Sequence, residues 1–298
     1  MAGARATAAL AAACACVAAA PARAAERPPI VGVAHIAFRV GDLARARAFY
    51  GGLLGYGETG HAGEASRPER VRFEVNDRQH IEVVPGLPPG QDERLVRVAF
   101  ETTDVAALRA YLVEKGVQTE TPVTDGGDTV LTLRDPDGHA VAFVQHPVPV
   151  SLRAHRRAQL GPSPVSARIL HVGLTVRDPA AADRFYKDVL GFSEIWRGGR
   201  DDARTDWINM KVPEGTEYLE YMLVGPEPVD RVRLGSLHHV ALVVPDIQAA
   251  LETVRSRPGG WDRQTVRTPQ VGRNKRWQLN LFDPDGSRAE LMEPYTMR

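Results

Sequence analysis

Histidine recurs at one place in a repeated pattern. Four segments of the chain begin as a short apolar strand: His35-Ile-Ala-Phe-Arg-Val, Arg97-Val-Ala-Phe-Glu-Thr, His171-Val-Gly-Leu-Thr-Val and His239-Val-Ala-Leu-Val-Val. Seven residues after the first position of each stands an aspartate: Asp42, Asp104, Asp178 and Asp246. Three of the four first positions are histidine, and three of the four units later present a glutamate in a strand. Imidazoles and carboxylates are the donors that hold divalent metals, and they also move protons at neutral pH. A repeated scaffold with these residues at matched places is a way to build a metal site from separate strands.

The elements that must position these groups repeat as well. In the first unit, alternation predicts a half-buried strand ending at Val40. A helix from Leu43 to Leu54 follows, capped by the Asp42 carboxylate. Two strands come next, Arg70 to Asn76 and His80 to Val84, with a weakly marked strand around Gly57 to Gly60 before them. The third unit repeats this: Phe185-Tyr-Lys-Asp-Val-Leu-Gly-Phe192 matches Phe49-Tyr-Gly-Gly-Leu-Leu-Gly-Tyr56. Its later strands are expected at Asp206 to Lys211 and Glu217 to Val224. Units two and four end on Asp135-Pro-Asp-Gly138 and Asp283-Pro-Asp-Gly286, turns in which proline is pre-set and glycine is free to take positive φ. Each unit reads β-α-β-β-β, an α+β class. The first positions lie 62, 74 and 68 residues apart, too far for solenoid turns, so the units are small modules.

At 298 residues the chain has room for two domains. Short Pro/Gly linkers join unit one to two (85–90) and three to four (225–228). The boundaries expected are 25–150 for an N-terminal domain, a basic solvated linker over 151–167, and 168–298 for a C-terminal domain. The net charge is zero and aromatic residues are 6% of the chain, which argues against a nucleic-acid groove, a polybasic membrane surface or a base-stacking platform. Residues 1–24 have a basic start (Arg5), an apolar run from Ala8 to Ala20 and a small-x-small end at Ala22-Arg-Ala24, the three parts of a cleaved secretory signal. The expectation is an exported, periplasmic or secreted protein with no integral membrane segment after cleavage. Both cysteines, Cys14 and Cys16, fall inside that segment. The mature chain would hold no thiol, so neither a disulfide nor a protein thiolate is available.

Taken together, the His-x4-Val-x-Asp openings, the Phe-Tyr…Leu-Gly helices and the Asp-Pro-Asp-Gly turns resemble the vicinal-oxygen-chelate superfamily of glyoxalase I, extradiol dioxygenases and bleomycin-resistance proteins, over nearly all of the mature chain. The resemblance implies two tandem domains of paired modules, each a cupped mixed sheet, with metal ligands on the first and last strand of each module. Unit three then offers His171 and Glu220, unit four His239 and Glu290, and unit one His35 and Glu82. Unit two offers none, because Arg97 and Ala142 stand at its ligand positions. The ligand set implied is His171, Glu220, His239 and Glu290, around one divalent ion (Zn, Fe, Mn, Ni or Co). His171 and Glu220 lie 49 residues apart, and His239 and Glu290 51, so only a sheet can bring each pair together. Pairing of unit one with unit four would instead use His35 and Glu82. His238 is expected on the opposite face as a structural residue. Trp207, Asn209, Tyr218, Met222 and Arg276 are expected near the cup.

The leading activity implied is glyoxalase-like: a metal holds two neighbouring oxygens of a small substrate while a carboxylate, Glu220 or Glu290, moves a proton between carbons, in isomerisation or lyase chemistry. The second is an extradiol-type Fe(II) dioxygenase using His171, His239 and Glu290, although Trp277-Gln-Leu-Asn-Leu-Phe282 stands where that branch has a His and a Tyr. The third is a non-catalytic small-molecule binder of the bleomycin-resistance type. Monomer and homodimer are both open.

Overall fold

The computed structural model describes residues 25–61, 70–146, 157–259 and 261–297. The expected signal segment and positions 147–156 of the linker region lie outside them. Two eight-stranded sheets carry the molecule. The first contains β1 (Ile30–Val40), β2 (Gly57–His61), β3 (Arg70–Glu74), β4 (His80–Pro85), β5 (Leu95–Thr102), β6 (Val123–Asp125), β7 (Asp128–Arg134) and β8 (Ala140–Gln145). The second contains β9 (Ile169–Val176), β10 (Ser193–Gly198), β11 (Trp207–Lys211), β12 (Tyr218–Leu223), β13 (His239–Val243), β14 (Gln270–Val271), β15 (Trp277–Phe282) and β16 (Arg288–Met292). Their orders are β2-β3-β4-β1-β5-β8-β7-β6 and β10-β11-β12-β9-β13-β16-β15-β14.

The two orders are the same arrangement repeated. In each sheet the first strands of two consecutive modules run antiparallel at the centre, and each is flanked by the last long strand of its own module, in parallel. Unit one therefore shares a sheet with unit two, and unit three with unit four. A sheet uniting units one and four, the alternative that would have recruited His35 and Glu82, is not formed.

Each module's aspartate opens its helix as the sequence indicates. Asp42, Asp104, Asp178 and Asp246 all accept hydrogen bonds from backbone N–H groups of the first turn. Helix α1 starts at Leu43–Arg47 and continues as a wider π-helical stretch, Ala48–Leu53. Helix α2 spans Val105–Glu114. Helix α3 repeats the form of α1, from Pro179–Ala182 into Asp183–Val189. The widening aims two consecutive aromatic residues in each of these helices, Phe49-Tyr50 and Phe185-Tyr186, inward, and all four are buried. The remaining helices are α4 (Arg231–Leu237) and α5 (Ile247–Ser256). Helix α4 falls where the sequence offered only a linker.

The helices cover the outer faces of the sheets and join the two halves in one core, in which Phe100 meets Phe192 edge to face at 5.1 Å. Two buried bonds cross the junction symmetrically. Tyr50 Oη donates to Asp283 Oδ2 (2.9 Å), and Tyr186 Oη donates to Asp135 Oδ2 (3.0 Å). Each acceptor is the first aspartate of an Asp-Pro-Asp-Gly turn, and Gly138 and Gly286 close these turns at φ 88°. The described end of the linker region is docked rather than solvated: Val165 N–H bonds Leu54 O (2.9 Å) and Ser166 is buried. Arg157 keeps the exposed character expected, 72% accessible and paired with Asp77. Removing either phenolic hydroxyl, by Tyr50→Phe or Tyr186→Phe, leaves a buried carboxylate one donor short and should lower unfolding free energy by about 1–3 kcal/mol in urea titrations.

Candidate metal centre

The inner face of the second sheet gathers the residues of the expected ligand set. Strands β9 and β13 lie antiparallel, with His239 opposite Gly173 and His171 opposite Ala241. On the flanks, Glu220 of β12 sits beside Gly173, and Glu290 of β16 beside Ala241. Side chains on one face alternate every second residue, so the two histidines and two glutamates rise on the same side as Gly173 and Ala241. His171 and His239 are 0% accessible and Glu290 3%, while Glu220 is the most open of the four at 9%.

Their donor atoms converge. His171 Nε2 and His239 Nε2 are 2.9 Å apart. Glu220 Oε2 lies 3.3 Å from His239 Nε2 and 3.7 Å from His171 Nε2. Glu290 Oε2 lies 3.7 Å from both imidazole nitrogens. His171, Glu220 and His239 meet the geometric requirement for a shared ion as a trio, with Glu290 as the fourth donor beside them. Metal bonds of about 2.0–2.2 Å place neighbouring donors roughly 3–3.5 Å apart, so this set fits a divalent cation after small adjustments.

The protonation states agree with that use. Burial holds both imidazoles well below their usual pKa, so they are neutral with lone pairs to give. His239 Nδ1 donates to Leu237 O at 2.9 Å, which fixes the tautomer and turns Nε2 toward the cup. Leu237 is the last residue of α4, so the unforeseen helix positions a ligand. His171 is set by packing, its ring stacked on Tyr218 at 4.4 Å. Burial raises the Glu290 carboxyl to about 7, against the pull of Arg288 and with a further push from Glu220.

Gly173 is required by the approach of the two first strands. A Cβ there would fall on Cε1 and Nδ1 of the His239 ring. His238 points the other way, as expected: Nδ1 bonds Glu93 (2.9 Å) and Nε2 meets Thr175 Oγ1 (3.1 Å).

A cavity of about 580 Å³ opens above the four residues, and Glu220 and Glu290 are part of its lining. Trp207 and Met222 line it too; Tyr218 lies beneath His171, and Arg276 is near enough for its charge to act on both of those rings. Asn209 and Asn280 occupy matched places, opposite Glu220 on β11 and opposite Glu290 on β15. The Oδ1 atom of each is buried without a hydrogen-bond partner among the described residues. Asn280 and Arg288 escaped the sequence reading, although both lie on the cup face of strands that it had located.

The first sheet answers differently. His35 and Glu82 occupy the places of His171 and Glu220, but Arg97 stands where the second sheet has His239. Its Nε donates to His35 Nε2 (2.8 Å), and its Nη2 donates to both Glu82 oxygens (3.0 and 3.2 Å). Arg70 and Arg72 approach Glu82 at 3.6 Å, and Arg70 also forks onto Asp125. A guanidinium therefore neutralises the pair that a metal would have neutralised, and the alternative use of His35 and Glu82 as ligands is overturned.

A methyl group at position 173 tests the geometry. Gly173→Ala should push the His239 ring from its place and weaken divalent-metal binding by at least about tenfold, measured by competition with a chromophoric chelator. Overpacking should also cost about 1–3 kcal/mol of stability.

Comparison with known proteins agrees with the geometry. A family model described as the Glyoxalase/Bleomycin resistance protein/Dioxygenase superfamily matches residues 32–143 and again 168–291. YaeR of Escherichia coli, an uncharacterised protein, is 30% identical over 131 residues, 42% of this chain and 95% of its own. The lactoylglutathione lyase of Haemophilus influenzae is 29% identical over 127 residues, 42% of this chain and 92% of its own. Among solved structures, the 2,3-dioxygenase LapB from Pseudomonas sp. KL28 superposes with a TM-score of 0.64 at 18% identity, covering 91% of this chain and 96% of that one. A single-site variant of homoprotocatechuate 2,3-dioxygenase from Brevibacterium fuscum gives 0.64 at 22% identity, covering 91% and 74%. At these identities the solved structures speak for the fold alone, but the family match spans both halves, and the chain belongs to the glyoxalase/bleomycin-resistance/dioxygenase superfamily.

Proposed function

We propose that this chain is an exported, divalent-metal-dependent enzyme that moves a proton within a small substrate bearing two neighbouring oxygens, with glyoxalase-like isomerisation or lyase chemistry. The observation that carries the reading is the convergence of His171, Glu220, His239 and Glu290 on one volume in a cup open to a substrate-sized cavity. The signal-like pattern of residues 1–24 supports export. Among the described residues, no helix is long and apolar enough to cross a membrane.

A divalent cation at this place would withdraw electrons from oxygens on two adjacent substrate carbons and so acidify the hydrogen on the hydroxyl-bearing carbon, next to the carbonyl. His171 and His239 would hold the cation as neutral donors. Glu290 is buried between them and Arg288, and serves as the fixed carboxylate. Glu220 is more open to the cavity and carries the proton from one carbon to the next. Asn209, opposite Glu220, and Asn280, opposite Glu290, supply uncommitted polar groups at the sides of the substrate.

An extradiol dioxygenase is the second reading, and the fold shared with two such enzymes over 91% of the chain favours it. Strand β15 weighs against it. Its cup-facing Asn280 does not titrate, and the stretch Trp277–Phe282 offers neither a histidine nor a tyrosine to handle a proton.

Elemental analysis of the mature protein, purified without chelator or His tag, should find one divalent metal per chain. His171→Ala should abolish it and His35→Ala should leave it unchanged. Retention of full metal by the His171 variant would overturn the assignment. Glu220→Gln should keep the metal and lose about 10²–10⁴-fold in proton exchange between solvent deuterium and substrate carbon.

The raised Glu290 carboxyl sets a pH dependence. Below about 7 the metal-free protein carries a proton there, and it must leave before the oxygen can bind. Metal affinity should rise about tenfold per pH unit up to that point and flatten above it, with proton release detectable by calorimetry in two buffers.

A further inference from the structure

One cation in the second cup, Arg288, leaves its hydrogen-bond donors uncommitted. Arg288 precedes Glu290 by two residues on β16, so both side chains rise on the cup face. Its side chain is 13% accessible and it lines the cavity beside the metal centre. Its nearest carboxylate, Glu290, lies 4.0 Å away, beyond hydrogen-bond reach. Its Nε is buried without an acceptor, and the guanidinium forms no hydrogen bond to any described residue. A guanidinium has five donors in a rigid fork and cannot shed its charge, so a buried one without acceptors is costly unless something else supplies them. The first cup is the contrast: there Arg97 and Arg70 are each bonded to carboxylates of the protein.

Charge leads to the same place. With a divalent cation bound by two ionised glutamates the centre is neutral, and Arg288 makes the loaded cup positive. Arg200 and Arg233 in the cavity wall add to that sign and outweigh the one further carboxylate there, Asp230, and Trp207 and Met222 provide an apolar side for a carbon skeleton.

We infer that Arg288 is a specificity-determining residue that receives a carboxylate of the substrate, so that the natural substrate is a small organic anion whose acid group lies near its two neighbouring oxygens. This rests on the metal-dependent reading above. The planar fork of Arg288 matches a carboxylate in two parallel bonds, which a neutral isostere cannot reproduce.

A matched pair of chelating probes tests it. Cobalt(II)-loaded protein is titrated with 3,4-dihydroxybenzoate and with the neutral 3,4-dihydroxybenzamide, and the visible cobalt absorption reports binding at the centre. The carboxylate should bind at least about tenfold more tightly. Arg288→Gln should erase that preference while keeping one cobalt per chain. Equal affinities in the unmutated protein overturn the inference, whether or not the variant folds. So does a preference that survives in a cobalt-replete Arg288→Gln protein. Failure of the unmutated protein to take up cobalt is a different result: it removes the metal-dependent reading itself.

Discussion

The site depends on how closely two backbones approach at the centre of the second sheet. His239 lies over Gly173, and no side chain larger than hydrogen fits beneath its ring. That approach brings the Nε2 atoms of His171 and His239 to 2.9 Å. From this pair the rest follows by register. A shift of one residue in β12 or β16 would turn Glu220 or Glu290 to the opposite face and remove one carboxylate from the converging donor set. The parallel pairing of first and last strand is thus a requirement of the chemistry as well as of the fold.

The two cups show what one lattice does with two kinds of cation. In the first, Ala37 lies between Glu82 and Arg97 just as Gly173 lies between Glu220 and His239. The long side chain of Arg97 carries its own charge to the centre and bonds both His35 and Glu82. A fixed guanidinium supplies attraction without an open coordination position, so the first cup is a stable, closed ion cluster. In the second, the short imidazole of His239 brings no charge. The carboxylates stay short of positive partners, and the carboxyl of Glu290 is driven upward by its burial. A protein interior tolerates such a deficit when a cation is to fill it. Two positions, Arg97 for His239 and Ala142 for Glu290, separate the closed cup from the open one.

Much of this was written in the sequence, for identifiable reasons. Period-two alternation and an aspartate at a fixed offset set the strands and helix starts, because both are local. The repeated openings located His171 and His239, and the resemblance located Glu220 and Glu290. Arg97 announced that the second module departs from the pattern. What the sequence did not disclose was spatial. Arg97 was read as leaving a blank place, whereas its reach lets it occupy the site of a neighbouring module. Arg288 and Asn280 are an ordinary charged residue and an ordinary amide until the register places them beside Glu290. Helix α4 has the turn-rich approach Gly225-Pro-Glu-Pro228 and a glycine inside it, and it is held by Asp230 at its N-terminus and by burial of Leu237. Local preference could not predict it, yet its last carbonyl orients the His239 ring.

The first half also acts on the second through buried bonds behind the cup. Tyr50, on α1 of the first module, reaches Asp283, which opens the turn between β15 and β16. That aspartate also accepts the backbone N–H groups of Asp285 and Ser287, and so organises the turn from inside. Immediately beyond it come Arg288 and Glu290. The N-terminal half therefore anchors the strand that carries Glu290 and Arg288. In return, Tyr186 of the third module holds Asp135 of the second. With its own cup sealed by arginine, the first half holds the second through these two buried bonds and the core they share.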